Sequence, residues 1–136
     1  MLLLSLDFHG DKHVDKYLVV MLGAALGGGA RYALSSAIGW RFGGRLPLGT
    51  IIVNITGCFL IGLIVTLLTE RLDVHPNWRL FLVVGVLGGY TTFSSFAWET
   101  YESARAGNAI YGLLNVAFSV VAGYAAVWCG ALIARR

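Results

Sequence analysis

The chain has 136 residues, 57% hydrophobic and 12% charged, and its mean hydropathy is +0.75. Soluble domains carry about 25% charged residues, so many of the usual solvating groups are missing; disorder, which needs low hydrophobicity and high net charge, is excluded, and 10 basic and 7 acidic side chains are too few to cover the surface of so small a soluble core. The net charge of +3 does not mark a nucleic-acid surface, because the basic residues are scattered at the edges of apolar stretches, where they anchor helix ends at lipid headgroups.

A membrane protein remains. A helical span takes about 20 apolar residues, so four spans with short loops nearly exhaust the chain. The 18 glycines are well above the usual share and point to closely packed helices rather than isolated anchors. Residues 1–16 stand apart as a leader or tail. Met1–Leu6 is a short apolar run followed by a mixed segment, without the basic start and cleavage site of a signal peptide. His9 and His13 are four apart; a solvated tail accounts for them better than a metal site. Residues 17–136 form one four-span unit with no second domain.

The first span covers 17–39 and holds Arg31 within Gly27-Gly28-Gly29-Ala30-Arg31-Tyr32. The second covers 48–69, entered through Pro47, and carries Asn54 in mid-span. The third covers 80–101 and the fourth 109–134, the latter with Asn115 and Ser119 four apart. The short connections make sequential helices antiparallel neighbours. Cys58 and Cys129 each lie inside an apolar run without metal or redox spacing, and read as packing residues. Lys12, Lys16, Arg71, Arg79, Arg135 and Arg136 fall on one side of the membrane, and Arg41, Arg45 and Arg105 on the other. Without the two lysines of the tail the sides are near balance, so the positive-inside rule sets little direction. Such a chain can insert both ways, and two oppositely oriented copies can pair.

The third span carries the chemistry: Gly85-Val86-Leu87-Gly88-Gly89-Tyr90-Thr91-Thr92-Phe93-Ser94-Ser95-Phe96-Ala97-Trp98-Glu99. Gly-Gly weakens a helix, and threonine hydroxyls compete for backbone bonds, so the helix is open to breaking at mid-membrane. Broken backbone there must be buried or line a wet cavity; its freed carbonyls then suit a cation and the next half-helix an anion. The competing account is helix packing through Gly85 and Gly89. Phe93 and Phe96 are three apart, on one helical face. As core or lipid-facing rings they need no further explanation, but next to Ser94 and Ser95 their positive ring edges offer an uncharged, donor-lined path that an anion can leave. Asn54 is costly in mid-span unless satisfied, either by an anion or by a structural hydrogen bond. Asn115 and Ser119 form a short polar stripe. Arg31 is either a vestibule residue that draws anions or a snorkelling interface residue. Glu99 falls near the end of the span, at the interface or at a pathway mouth.

Read together, the blocks Gly28 with Arg31-Tyr32, Gly49-Thr50 with Val53-Asn54 and Gly57, and Gly88 to Phe96 with Glu99 resemble the Fluc (CrcB) family of fluoride channels, over nearly everything from Leu18 onward. The resemblance implies an all-α membrane protein of four transmembrane helices with a broken third helix, assembled as an antiparallel, dual-topology homodimer in the bacterial cell (inner) membrane. It implies two fluoride pathways per dimer, with Phe93, Phe96, Asn54, Ser94 and the vestibule Arg31 along them. It also implies a central structural sodium ion held by the backbone carbonyls of Gly88 and Thr91 from both copies. Asn115 and Ser119 belong to the anion pathway as polar groups without an assigned individual role. Ser95 replaces the common threonine and keeps its hydroxyl, Ala97 removes one, and Tyr90 is bulkier than the common leucine.

Fluoride itself is named by the resemblance; residue chemistry alone indicates only an uncharged anion path. A proton-coupled exporter resembling the small multidrug transporters needs an acid deep in the first span, where 17–39 has none. A purely structural subunit needs neither a helix break nor a polar stripe. An enzyme is the poorest fit, since His9, His13 and His75 all lie outside the spans.

Overall fold

The structure, a computed structural model, describes residues 14–43 and 47–136. The expectations for Met1–Leu6, His9 and His13 concern residues outside these. Four helical stretches are long and apolar enough to cross a membrane: Val14–Phe42, Leu48–Glu70, Pro76–Arg105 and Ala109–Arg135. They contain the spans expected from the sequence; the first and third extend about a turn further at each end and the second and fourth by a single residue, since helices continue through polar residues once the core is anchored. Asp15 thus falls in the first turn of the first helix, at its end rather than at mid-membrane.

Local chemistry sets the boundaries. Pro47 precedes the second span and cannot itself be a donor inside it. His75 caps the third by accepting the Asn77 amide on Nδ1 at 3.2 Å, with Pro76 in the first turn. Gly107, at φ 81°, closes the turn into the fourth span in a conformation that a β-carbon resists. Within the third span Leu80–Leu87 is wound as a π-helix, Gly88–Tyr90 returns to α geometry, and a second helix runs from Phe93 to Arg105. Between them Thr91 (φ −81°, ψ 157°) and Thr92 (φ −149°, ψ 119°) are extended. The fourth span has a π-helical stretch at Phe118–Ala122.

Sequence neighbours do touch, the first span with the second and the third with the fourth, but the most extensive packing joins other pairs. The first span packs chiefly on the Leu80–Leu87 part of the third, and the second on the Gly123–Arg135 part of the fourth. Glycine explains the choice. A β-carbon at Gly23 would come 2.6 Å from the Phe81 carbonyl oxygen and 2.9 Å from Gly85 Cα, and one at Gly27 would overlap the Val86 carbonyl. Across the other crossing, Gly62 lies against the Val127 carbonyl and Gly130 against that of Phe59. In lipid, where apolar area gives helices no reason to associate, such backbone-to-backbone approach is the main source of attraction. The Glu70–Arg135 ion pair at 3.0 Å and an Arg71 bond to the Arg135 carbonyl join the same two helices at their exposed ends; exposed pairs of this kind contribute about 1 kcal/mol or less.

Even the best-packed span has only 28% of its apolar window buried within the chain. Most of the hydrophobic surface therefore faces lipid or another chain, as a membrane protein requires. Gly27→Val should destabilise the protein by about 1–3 kcal/mol through overpacking, whereas Gly28→Val, with open space around it, should cost less; thermal unfolding in lipid nanodiscs measures the difference.

Candidate ion-pathway site

The extended pair Thr91-Thr92 is the centre of the site, and its backbone groups must be satisfied at membrane depth. The Asn54 side chain does this from the second span. Its Nδ2 donates to the Thr92 carbonyl at 3.1 Å, and its Oδ1 accepts the Thr92 amide at 3.0 Å. The carboxamide thus pairs with Thr92 as a neighbouring strand would. Thr91 ends the preceding helix by sending both its amide and its hydroxyl to the Leu87 carbonyl, each at 3.0 Å. Thr92 begins the next helix, its hydroxyl accepting the Ser95 amide at 3.2 Å and donating to Ser95 Oγ at 3.0 Å.

These bonds divert two amides. In a continuous helix the Thr92 amide would close on Gly88 and the Ser95 amide on Thr91. Here they go to Asn54 and to the Thr92 hydroxyl. The carbonyls of Gly88 and Thr91 are thereby released from their ordinary helical donors.

A cleft of about 370 Å³ opens beside this segment. It gathers Asn54, Gly88, Thr91, Phe93, Phe96 and Ser119 of the residues expected from the sequence, together with Gly57, Cys58 and Thr92. The Phe93 and Phe96 rings lie 5.5 Å apart between centroids, tilted by 44°. Phe93 is 79% exposed, so the chain by itself encloses only one side of this space. Among the described residues no charged side chain lines the cleft.

Three of the expected residues lie outside it. Ser94 is exposed, with its hydroxyl 3.5 Å from that of Thr92. Arg31 is partly buried in the first span and makes no ion pair among the described residues. Asn115 is fully buried, and its Nδ2 donates to the Phe96 carbonyl at 3.3 Å and to Thr100 Oγ1 at 2.9 Å. Both amide hydrogens are thus committed to holding the Phe93–Arg105 helix, while Ser119 donates to Asn115 Oδ1 at 3.4 Å.

Other polar contacts had no visible sequence signal. Thr50 donates to Glu99 Oε1 at 2.7 Å, linking the second and third spans, and Glu99 Oε2 is buried without a hydrogen-bond partner among the described residues. Thr100 also donates to the Phe96 carbonyl, at 2.8 Å. The cap at Thr92 had only a weak signal, since threonine is among the residues favoured just ahead of a helix.

Comparison with known proteins bears on the same residues. Residues 18–131 match the family described as "CrcB-like protein, Camphor Resistance (CrcB)". A "Fluoride-specific ion channel FluC" of Solibacter usitatus is 63% identical over 121 residues, which is 89% of this chain and 99% of that protein. Proteins of the same name from Acidobacterium capsulatum and Coxiella burnetii are 46% and 44% identical, over 89% and 88% of this chain and 97% of each relative. With its four spans and these relatives, the chain is a multi-pass protein of the bacterial inner membrane.

Asn115→Ala removes two donated bonds from a buried site and should cost about 1–3 kcal/mol. Ser119→Ala loses one long bond and should cost clearly less. Unfolding midpoints of the two variants in the same lipid check the order.

Proposed function

The chain belongs to the CrcB-like family, and on that footing we propose that it is a passive, fluoride-selective channel. It lets cytoplasmic fluoride leave down its electrochemical gradient and so reduces fluoride toxicity. Hydrogen fluoride crosses membranes as a neutral acid and dissociates inside, which traps the anion; a selective leak relieves the trap. The observation that carries this reading is the cleft at Thr91-Thr92, lined by an amide, hydroxyls and two phenyl rings with no charged side chain, in a chain 63% identical to a protein named for fluoride conduction.

Fluoride is small and strongly hydrated, so a path must replace much of its water without binding it tightly. Phenyl edges carry the positive part of the ring quadrupole and supply weak, numerous contacts. The start of the Phe93–Arg105 helix adds amides that lack intrahelical acceptors, together with the positive end of a helix dipole. Weak sites of this kind permit rapid departure. Ser119 lines the cleft with a hydroxyl whose proton goes to Asn115; Ser94 and Arg31 lie outside it, Ser94 as an exposed hydroxyl beside the helix start and Arg31 drawing anions to a vestibule. Asn54 and Asn115 act on the pathway chiefly by holding its backbone, since their amides are engaged with Thr92, Phe96 and Thr100.

The functional unit is a pair of oppositely oriented copies. The exposure of Phe93 and the near balance of loop charges support this: the cleft needs a second wall, and neither orientation is strongly preferred. A structural sodium ion at the dimer axis fits the donors available. The Gly88 and Thr91 carbonyls are neutral oxygens released from helix bonding, the kind of ligand that hard cations accept. Bound there, sodium would supply a fixed positive charge joining the two interrupted helices.

In liposomes a fluoride electrode should record rapid efflux with chloride nearly excluded; equal fluxes would sink the assignment. Phe96→Ile should slow fluoride efflux at least about tenfold, which needs only about 1.4 kcal/mol of added barrier, while the protein remains folded. Tags on both termini, probed in intact cells, should be found on each side of the membrane.

A further inference from the structure

Tyr90 is the last helical residue before the extended threonines. Its hydroxyl lies 2.8 Å from Thr56 Oγ1. Thr56 has one hydroxyl proton, and its geometry directs that proton back to its own helix, to the Ile52 carbonyl at 2.7 Å with that of Val53 at 3.1 Å. Toward Tyr90 the threonine oxygen is therefore an acceptor, and the phenol donates. The phenol ring lies beside Gly57, where an added β-carbon would sit 3.4 Å from Tyr90 Cδ1 and would overlap the Thr91 methyl.

The second span consequently grips the third at two points. Asn54 holds Thr92, and Thr56 holds Tyr90; Thr91 lies between. The glycine crossings hold the Leu80–Tyr90 stretch on the first span, and Asn54 ties only Thr92 to the second span, so the end of that helix at Tyr90 is the point where the two holds meet. A bond from half-buried Tyr90 to Thr56 of the second span fixes that end, and with it the carbonyls on either side. We propose that Tyr90 and Thr56 form a positioning pair that fixes the orientation of the Gly88 and Thr91 carbonyls. The proposal rests on reading those carbonyls as the sodium ligands, and it adds two residues that touch neither ion.

The test uses the full-length protein in lipid nanodiscs, titrated with sodium chloride against its thermal midpoint, with amide exchange followed at Thr91 and Thr92. Tyr90→Phe removes only the donor, Thr56→Val the acceptor together with the threonine's own bond back to the Ile52 carbonyl, and Thr56→Ser retains both. The first two variants should each raise the sodium concentration for half-maximal stabilisation by roughly three- to tenfold, the size of one neutral hydrogen bond, and speed exchange at both threonines. The double variant should add nothing further, and Thr56→Ser should behave as the unaltered protein. Unchanged exchange in both Tyr90→Phe and Thr56→Val would overturn the pair, reducing the ring to packing. An unaltered protein that ignores sodium would contradict the sodium reading alone, and the exchange data would still decide the pair.

Discussion

The paired hydrogen bonds between the Asn54 carboxamide and the Thr92 backbone are the contact on which the rest of the site depends. At membrane depth a backbone amide and carbonyl outside a helix must find partners or cost several kcal/mol. Asn54 supplies both partners from one side chain. Thr91 and Thr92 can then remain extended, a new helix can begin at Phe93, and the phenyl rings can face the cleft. The carbonyls of Gly88 and Thr91 are released by the same exchange of partners. One asparagine joins two helices and caps the backbone between them.

The glycine crossings give that contact a rigid frame. The first span is held on the early part of the third by Gly23, Gly27 and Gly85, and the second on the late part of the fourth by Gly62 and Gly130. The second span is thus fixed from behind while its Asn54 face reaches the third. Asn115, fully buried, pins the Phe93–Arg105 helix from the fourth span. The site is a seam between elements that are separately held, and the cleft proposed as the anion path lies beside firmly bonded backbone.

Much of this was legible in the sequence. The four spans follow from hydropathy, because lipid requires long apolar runs. The Gly88-Gly89-Tyr90-Thr91-Thr92 segment stood out because its residues weaken a helix where none should weaken, and the extended residues lie at its end. Helix pairing was less legible: short loops suggested sequence neighbours, whereas close approach at glycines favours first with third and second with fourth. Polar partners were hardest to read. Asn54 and Thr92 are 38 residues apart, and Thr50 and Glu99 are 49 apart; no periodicity relates them. Asn115 read only as part of a polar stripe on the anion pathway, and only packing could reveal that both its amide hydrogens serve the neighbouring helix.

The central claim is that one side chain on the second span maintains the interrupted backbone through which fluoride passes. Asn54→Leu keeps the branched shape and the number of side-chain heavy atoms and removes both hydrogen bonds. Fluoride efflux from liposomes containing this variant, correctly folded and at matched protein density, tests the claim most directly. The account predicts a fall of at least about tenfold, corresponding to about 1.4 kcal/mol; efflux at the rate of the unaltered protein would contradict it.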